Sequence, residues 1–235
     1  MTHPMMNVSV ILPAAGTGSR FGGPTNKIFQ PLAGKEMFLW TLSRFAGRAD
    51  VCQILLVVSP SDAEIIARRY GAALAAMKVG CVEGGPTRSD SVRNALARLT
   101  DQAQFVCVHD AVRPCVGGRQ IDAVFAQAAQ TGAAILAEPV VPTIKEVEPS
   151  GRILRTVPRQ ALWAAQTPQV FRRDWLVDAY ASGEQATDDA ELVQARGHAV
   201  FVVPGEPSNI KVTTPGDLAM AEALLAGHAA GRGSC

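Results

Sequence analysis

Charge, paired cysteine and long apolar runs are all scarce in this chain of 235 residues, and each shortage removes a class of protein. Charged residues make up 18% and nearly cancel, 22 Lys+Arg against 21 Asp+Glu, so no global field draws nucleic acid or an anionic membrane and any anion binding must be local. Five cysteines, Cys52, Cys81, Cys107, Cys115 and Cys235, are odd in number and widely spaced without a C-x-x-C pair. That spacing supports neither a disulfide framework nor a zinc site, and reduced thiols of a cytoplasmic protein are expected. The opening MTHPMMNVSVIL has no basic region, and its apolar run is too short for a signal sequence or a membrane span. A hydrophobic fraction of 48% excludes disordered and collagen-like chains, and no linker or internal repeat divides the sequence, which reads as one domain over 1–235. Catalytic signatures are missing too: there is no H-E-x-x-H, no Ser/His/Asp order and no obvious general-base histidine.

What is present begins with PAAGTGSRFGG at 13–23, directly after the apolar run 8–12. A buried strand opening into a glycine-rich loop offers bare backbone N–H groups to an anion. Pro13, Ala14, Ala15, Gly16 and Gly18 form that candidate cradle. No glycine is followed by Lys and a hydroxyl residue, so the loop is not that of a P-loop NTPase. Phe21 occupies the third position of a G-x-G-x-x-G, and the next apolar run, 51–58, ends in Ser59-Pro60 without an acid, so the dinucleotide pattern fails as well. Arg20 and Lys27 distinguish the loop. Two cations beside a glycine turn suit a triphosphate whose charge is neutralised during reaction, against the alternative of an ordinary turn.

Apolar runs at 8–12, 51–58, 78–82, 104–108, 133–137 and 199–203 alternate with helical patterns near 36–46, 61–77, 88–99, 119–130, 172–182 and 215–226. This alternation predicts an α/β fold with a Rossmann-like, mostly parallel sheet covered on both faces. One segment departs from it. TIKEVEPSGRILRTVP, 143–158, reads as two charged extended runs around a Pro-Ser-Gly turn, a hairpin too polar for the core that projects as an arm over about 140–159, either onto another subunit or into solvent.

In an open parallel sheet, ligands sit beyond the C-terminal ends of the strands, which brings separate segments to one place. EGGPTRSDSV, 83–92, offers Gly84, Gly85 and Ser91 for close ligand approach, although Thr87 with Asp90 also reads as a capping box and Val92, Leu96 and Leu99 as core. HDAVRP, 109–114, places Asp110 at a strand end, where one carboxylate beside substrate phosphates suits Mg²⁺ or another divalent cation; its plain alternative is a turn aspartate. Arg113 could fork onto a second phosphate, and His109 reads as structural. Of LWAAQTPQVF at 162–171, TDDAEL at 187–192 and SNIKVTTPGDL at 208–218, most polar residues read as helix starts, Asp188 with Glu191 and Thr214-Pro215 with Asp217. Lys211, after a Ser-Asn turn, could reach the same crevice. Cations and a metal without a base fit a reaction whose nucleophile is already anionic, such as a phosphate monoester attacking the α-phosphorus of a nucleoside triphosphate.

With PAAGTGSRFG, NKIFQPLAGK, GGPTRSDSV, HDAVRP, TIK, QTPQVF, TDDAEL and NIKVTTPGDL in this order, the chain resembles the 2-C-methyl-D-erythritol 4-phosphate cytidylyltransferases of the non-mevalonate isoprenoid pathway over roughly 7–225. The resemblance implies a nucleotidyltransferase fold, a homodimer through an exchanged β-arm, Mg²⁺ dependence, and transfer of a cytidylyl group from CTP to a polyol phosphate with release of pyrophosphate. It implies that Arg20 and Lys27 stabilise the transition state, and that Ala14, Ala15, Gly16, Gly84 and Ser91 hold cytosine and the triphosphate. It further implies that Asp110, Arg113, Thr143, Thr167, Arg159 and Lys211 hold or orient the polyol phosphate, with Thr143 and Arg159 arriving from the partner. Pro142 stands where the family commonly has Asp, Asn26-Lys27-Ile28 where Pro-Lys-Gln is frequent, and Pro86-Thr87 where a more acidic pair is usual. The length leaves no room for the cyclodiphosphate synthase domain fused to some relatives. A cytidylyltransferase for another polyol phosphate, such as ribitol 5-phosphate, and a non-catalytic nucleotide-binding regulator are the competing readings.

Overall fold

The alternating periodicities above resolve into a layered α/β arrangement, together with short elements around it. A computed structural model describes residues 6–16, 21 and 26–230. In chain order the elements are β1 (Val8–Pro13), a 3-10 turn (Lys27–Phe29), a small hairpin of β2 (Pro31–Leu32) and β3 (Lys35–Glu36), α1 (Met37–Phe45), β4 (Val51–Val58), α2 (Pro60–Ala76), β5 (Val79–Glu83) and α3 (Arg88–Leu96). They continue with β6 (Phe105–Val108), α4 (Gly118–Thr131), β7 (Ala133–Pro139), β8 (Ile144–Val147), β9 (Ile153–Val157), β10 (Trp163–Arg172), α5 (Arg173–Ala181), α6 (Asp189–Ala195), β11 (Phe201–Pro204) and α7 (Pro215–Ala230).

The main sheet has the order β11-β7-β10-β6-β1-β4-β5. β1 pairs in parallel with both β4 and β6, so the chain leaves β1 toward one side and later returns on the other. That reversal opens a crevice at the C-terminal ends of β1 and β6. Alternation along the strands sorts the core into two layers. Val10, Leu12 and Leu56 face Phe38, Leu42, Ile66, Val124 and Leu225, from α1, α2, α4 and α7. Ile11, Leu55 and Val57 face Val92, Leu96, Leu176 and Val193, from α3, α5 and α6. Buried on both sides, the inner strands β1, β4, β6 and β7 read as near-continuous apolar runs, and the sequence reports them for that reason.

β10 is the strand that the apolar runs miss. It is antiparallel to both β6 and β7, and its register slips between Ala165 and Gln169, where Gln166-Thr167-Pro168 interrupt the ladder with a cis Thr167–Pro168 peptide. Proline inside a central strand is tolerated at such an irregularity. The slip delivers Gln166 and Thr167 to the C-terminal end of β6. The 143–158 segment forms β8 and β9, a separate two-stranded sheet that turns at Gly151 with φ +87°, a conformation glycine accepts without strain.

Candidate active site

The crevice holds a cavity of about 370 Å³ walled by segments that the sequence places together: Pro13, Ala14, Ala15 and Gly16 after β1, Lys27, Gly85 with Ser91, Asp110 and Lys211. Hydrogen bonds tie these strand ends into one frame. Ala14 N–H donates to the Val57 carbonyl at 2.8 Å, Gly84 N–H to the Val58 carbonyl at 2.7 Å, and His109 N–H to the Ile11 carbonyl at 2.9 Å. Gly84 and Gly85 are required first by the protein itself. A Cβ on Gly84 would lie 2.5 Å from the Ala15 Cβ, and one on Gly85 2.4 Å from the Asp90 Cβ. Ser91 is buried, and its hydroxyl accepts the Gly85 N–H at 3.1 Å, so it braces the loop against α3. Thr87 and Asp90 form the capping box that starts α3.

At the centre is Asp110. Its Oδ2 lies 2.9 Å from Lys211 Nζ and 3.5 Å from Arg113 Nε, and its Oδ1 is 3.8 Å from Arg88 Nε. Burial pushes the Asp110 carboxyl up, but the charges of Lys211, Arg88 and Arg113 outweigh it and hold the group well below the usual carboxylate range. The carboxylate is therefore ionised throughout the working pH range, and the cluster keeps a net positive charge suited to polyanions.

Arg113, expected to fork onto a second phosphate, also has partners within the chain. It is buried, and its Nη1 donates to the Asn209 carbonyl at 2.6 Å, so much of its donor set already holds the loop that carries Lys211. Thr167 likewise has partners within the chain. Its hydroxyl accepts the Asp110 N–H at 3.1 Å and lies 3.0 Å from His109 Nδ1, while His109 Nε2 lies 3.2 Å from the Arg113 carbonyl. A carbonyl can only accept, so Nε2 carries the proton and Thr167 donates to Nδ1. Burial pushes the His109 imidazolium pKa down to about 4, and the ring is neutral. It is a brace, as its sequence position suggests.

Arg88 is the residue that sequence reading missed. It lines the cavity and is gripped bidentately by Asp189, with Nη1 to Oδ1 at 3.1 Å and Nη2 to Oδ2 at 2.7 Å. Asp189 is fully buried and also accepts the Tyr180 hydroxyl. A signal existed: a cation at the first position of a helix opposes the helix dipole, so Arg88 at the start of α3 needs a compensating partner. Thr143 and Arg159 are exposed at the base of the hairpin and do not line the cavity. Gly18 and Arg20 lie outside the described residues.

Among the described residues no group of three His, Cys, Asp or Glu side chains could hold a metal alone. Asp110 supplies a single ionised carboxylate, which fits a divalent cation that takes its remaining ligands from substrate phosphates and water.

A doubly covered, mostly parallel sheet with a cation-ringed carboxylate and a backbone cradle at its switch point defines an α/β nucleotidyltransferase. The IspD family model, 2-C-methyl-D-erythritol 4-phosphate cytidylyltransferase, matches residues 8–227, and the chain belongs to that family. It is 44% identical over 232 residues to the 2-C-methyl-D-erythritol 4-phosphate cytidylyltransferase of Rhodopirellula baltica, covering 93% of this chain and 95% of the relative. It is 42% identical over 229 residues to the bifunctional enzyme IspD/IspF of Rhodospirillum rubrum, covering 95% of this chain but 58% of that protein. Among solved structures, 2-C-methyl-D-erythritol 4-phosphate cytidylyltransferase from Thermus thermophilus is similar at a TM-score of 0.77 and 35% identity, with 93% of this chain and 98% of that one covered. A 4-diphosphocytidyl-2C-methyl-D-erythritol synthase is similar at a TM-score of 0.80 and 32% identity, with 95% and 100% covered.

Proposed function

We propose that the chain transfers a cytidylyl group from CTP to 2-C-methyl-D-erythritol 4-phosphate, forming 4-diphosphocytidyl-2-C-methyl-D-erythritol and pyrophosphate. The observation that carries this reading is the cavity that Lys27, Arg88 and Lys211 share with Asp110 beside the 13–16 backbone. An oxygen of the substrate phosphate forms a bond to the α-phosphorus, the bond from that phosphorus to its β-bridging oxygen breaks, and pyrophosphate leaves with the electron pair. No proton needs to move, so the residues act by position and charge. Arg20 and Lys27 stabilise the transition state. Backbone groups of Ala14, Ala15, Gly16, Gly84 and Gly85, braced by Ser91, read cytosine and hold the triphosphate. Lys211, Asp110, Arg113 and Thr167 orient the polyol phosphate. Mg²⁺, held by the triphosphate with Asp110 as its protein ligand, would supply further charge neutralisation at the phosphates.

The arm supports a homodimer. Val141, Val147, Ile153 and Leu154 each expose more than half their surface, an apolar set that a second copy would cover. Thr143 and Arg159 at its base would then enter the partner's cavity. Cys52, Cys81, Cys107 and Cys115 are free thiols, which supports a cytoplasmic location. No helix among the described residues is long and apolar enough to cross a membrane.

Pyrophosphate release with CTP, Mg²⁺ and either 2-C-methyl-D-erythritol 4-phosphate or ribitol 5-phosphate tests the reading. Turnover is expected with the first and not the second, and UTP should be a poor donor because a site built for one base edge leaves groups unpaired with the other. Preference for ribitol 5-phosphate would transfer the assignment to that substrate, and nucleotide binding without turnover would favour a regulator. Mixing Lys27→Ala with Arg159→Ala dimers under subunit exchange should restore about a quarter of wild-type activity if Arg159 acts across the interface. No recovery after verified exchange would confine Arg159 to its own subunit.

A further inference from the structure

We propose that Asn26 is a positioning residue that fixes Lys27 against the nucleotide-facing end of β1. The inference rests on the reading of Lys27 as a charge stabiliser and adds the means by which this chain holds it. The Asn26 side chain makes three hydrogen bonds to three different elements. Its Nδ2 donates to the Ala14 carbonyl at 3.1 Å and to Asp62 Oδ2 at 2.9 Å, and its Oδ1 accepts the Ile28 N–H at 3.2 Å. Both donor hydrogens of the amide are used and its oxygen caps the 3-10 turn that carries Lys27.

Each partner is itself fixed. Ala14 is bonded to β4 through Val57. Asp62 sits in the first turn of α2, where the helix dipole favours a carboxylate, and its Oδ2 also accepts the Ser59 hydroxyl at 2.6 Å. From the opposite side the turn is gripped by packing: Ile28 is 1% exposed, and the Phe29 ring stacks on Tyr70 at 5.9 Å and meets Phe38 edge-on at 6.0 Å. Lys27 is therefore the cation that lines the cavity from a turn held by Asn26 and by core aromatics, with Ile28 beside it in the cavity wall. A long, flexible ammonium stem gains catalytic precision only if its backbone is fixed, and a small displacement of a charge stabiliser costs rate more than affinity.

The test is a double-mutant cycle in the full chain, with kcat, KM for CTP and Tm measured for wild type, Asn26→Ala, Lys27→Ala and the double variant. Asn26→Ala should lower kcat by about tenfold and change KM by less than about threefold, whereas in the Lys27→Ala background it should change kcat by less than about twofold. A loss of the same size in both backgrounds would show that Asn26 does not act through Lys27 and would overturn the proposal, as would an unchanged kcat in the single variant. If Lys27→Ala keeps its kcat, the role given to Lys27 falls and this inference falls with it. A second pair guards against a folding defect. Asn26→Asp sets a carboxylate against Asp62 and should be slower than Asn26→Ala, and adding Asp62→Asn restores a donor between the two positions and should recover part of the loss. Absence of recovery with normal Tm would also overturn it.

Discussion

Two regions that carry arginine–carboxylate pairs, the strand-end cluster and the β8–β9 hairpin, use the same chemical groups to opposite effect. In the cluster, Arg88 meets a fully buried Asp189 and Asp110 is ringed by three cations. In the hairpin, Arg155 pairs with Glu146 across the strands and Arg152 with Glu148 in the turn. Low dielectric and fixed neighbours make the buried charges strong and geometrically unique, while water and salt screen the exposed ones. Buried pairs can therefore set the shape and field of a site. Exposed pairs do not, and the hairpin leaves Val147, Ile153 and Leu154 exposed beside them.

The largest effect should follow from breaking the bidentate pair on the fully buried Asp189. Arg88→Ala leaves Asp189 with the Tyr180 hydroxyl and no cation, and the loss of a buried ion-pair partner costs about 3–5 kcal/mol. Chemical denaturation should show that loss together with reduced activity, and Arg88→Lys should not rescue it, because an ammonium cannot reproduce the two-pronged contact. A loss below about 1 kcal/mol would mean the cluster is no more rigid than the hairpin. Next comes Lys27→Ala, which should lower kcat by on the order of 10²–10³, equivalent to roughly 3–4 kcal/mol of transition-state stabilisation, with a smaller change in KM and an unaltered fold; Arg20→Ala should do the same. Steady-state kinetics beside a circular dichroism melt separates the two.

A third effect depends on pH. His109 is neutral in the folded protein with a pKa of about 4 against an ordinary value of 6.5, because burial disfavours its charged form. Between these values the unfolded chain binds the extra proton, so folding stability rises with pH across this window and is lost as pH falls from 6.5 toward 4. The full shift corresponds to roughly 3 kcal/mol. Asp110 works in a different range, its stabilisation being lost only as pH falls below the ordinary carboxylate value. Metal-free urea titrations of wild type and His109→Gln should therefore differ in slope between pH 4 and 6.5 and run parallel above that window; parallel curves throughout would remove His109 from the buried cluster.

The contrast between regions also marks what sequence makes legible. Buried parallel strands such as 51–58 carry their position in near-continuous apolar runs, and the hairpin declares itself by lacking one. β10 does not, because Gln166, Thr167 and Pro168 occupy its middle and place polar groups at the end of β6 rather than apolar groups in the core. Asp110 was accessible as a charge at a strand end and Lys211 as one between a Ser-Asn turn and a helix. Arg88 was hidden because its neighbours Thr87 and Asp90 explain the helix start without it, and because Asp189 comes from a helix 101 positions away in sequence. The bond from Arg113 to Asn209 was hidden for the same reason: both ends are loops, and only the folded topology brings them together.

The smallest effect belongs to the hairpin's ion pairs and is the sharpest check on the comparison. The side chains of Arg155 and Glu146 are 68% and 45% exposed, so each remains largely hydrated whether or not the other is present. Their attraction is screened within a Debye length of about 8–10 Å at ordinary salt, and holding two long side chains in one geometry costs entropy that offsets it. Arg155→Ala and Glu146→Ala, singly or together, should leave the denaturation midpoint unchanged within error and show no coupling. On the proposed homodimer, Ile153→Asp with Leu154→Asp in the same hairpin should leave the folding of each chain intact yet shift the species seen by sedimentation from dimer to monomer. If instead the charge pair stabilised the fold as Arg88 does, the hairpin would have to be buried against its own subunit, and the apolar residues it exposes would need no second copy to cover them.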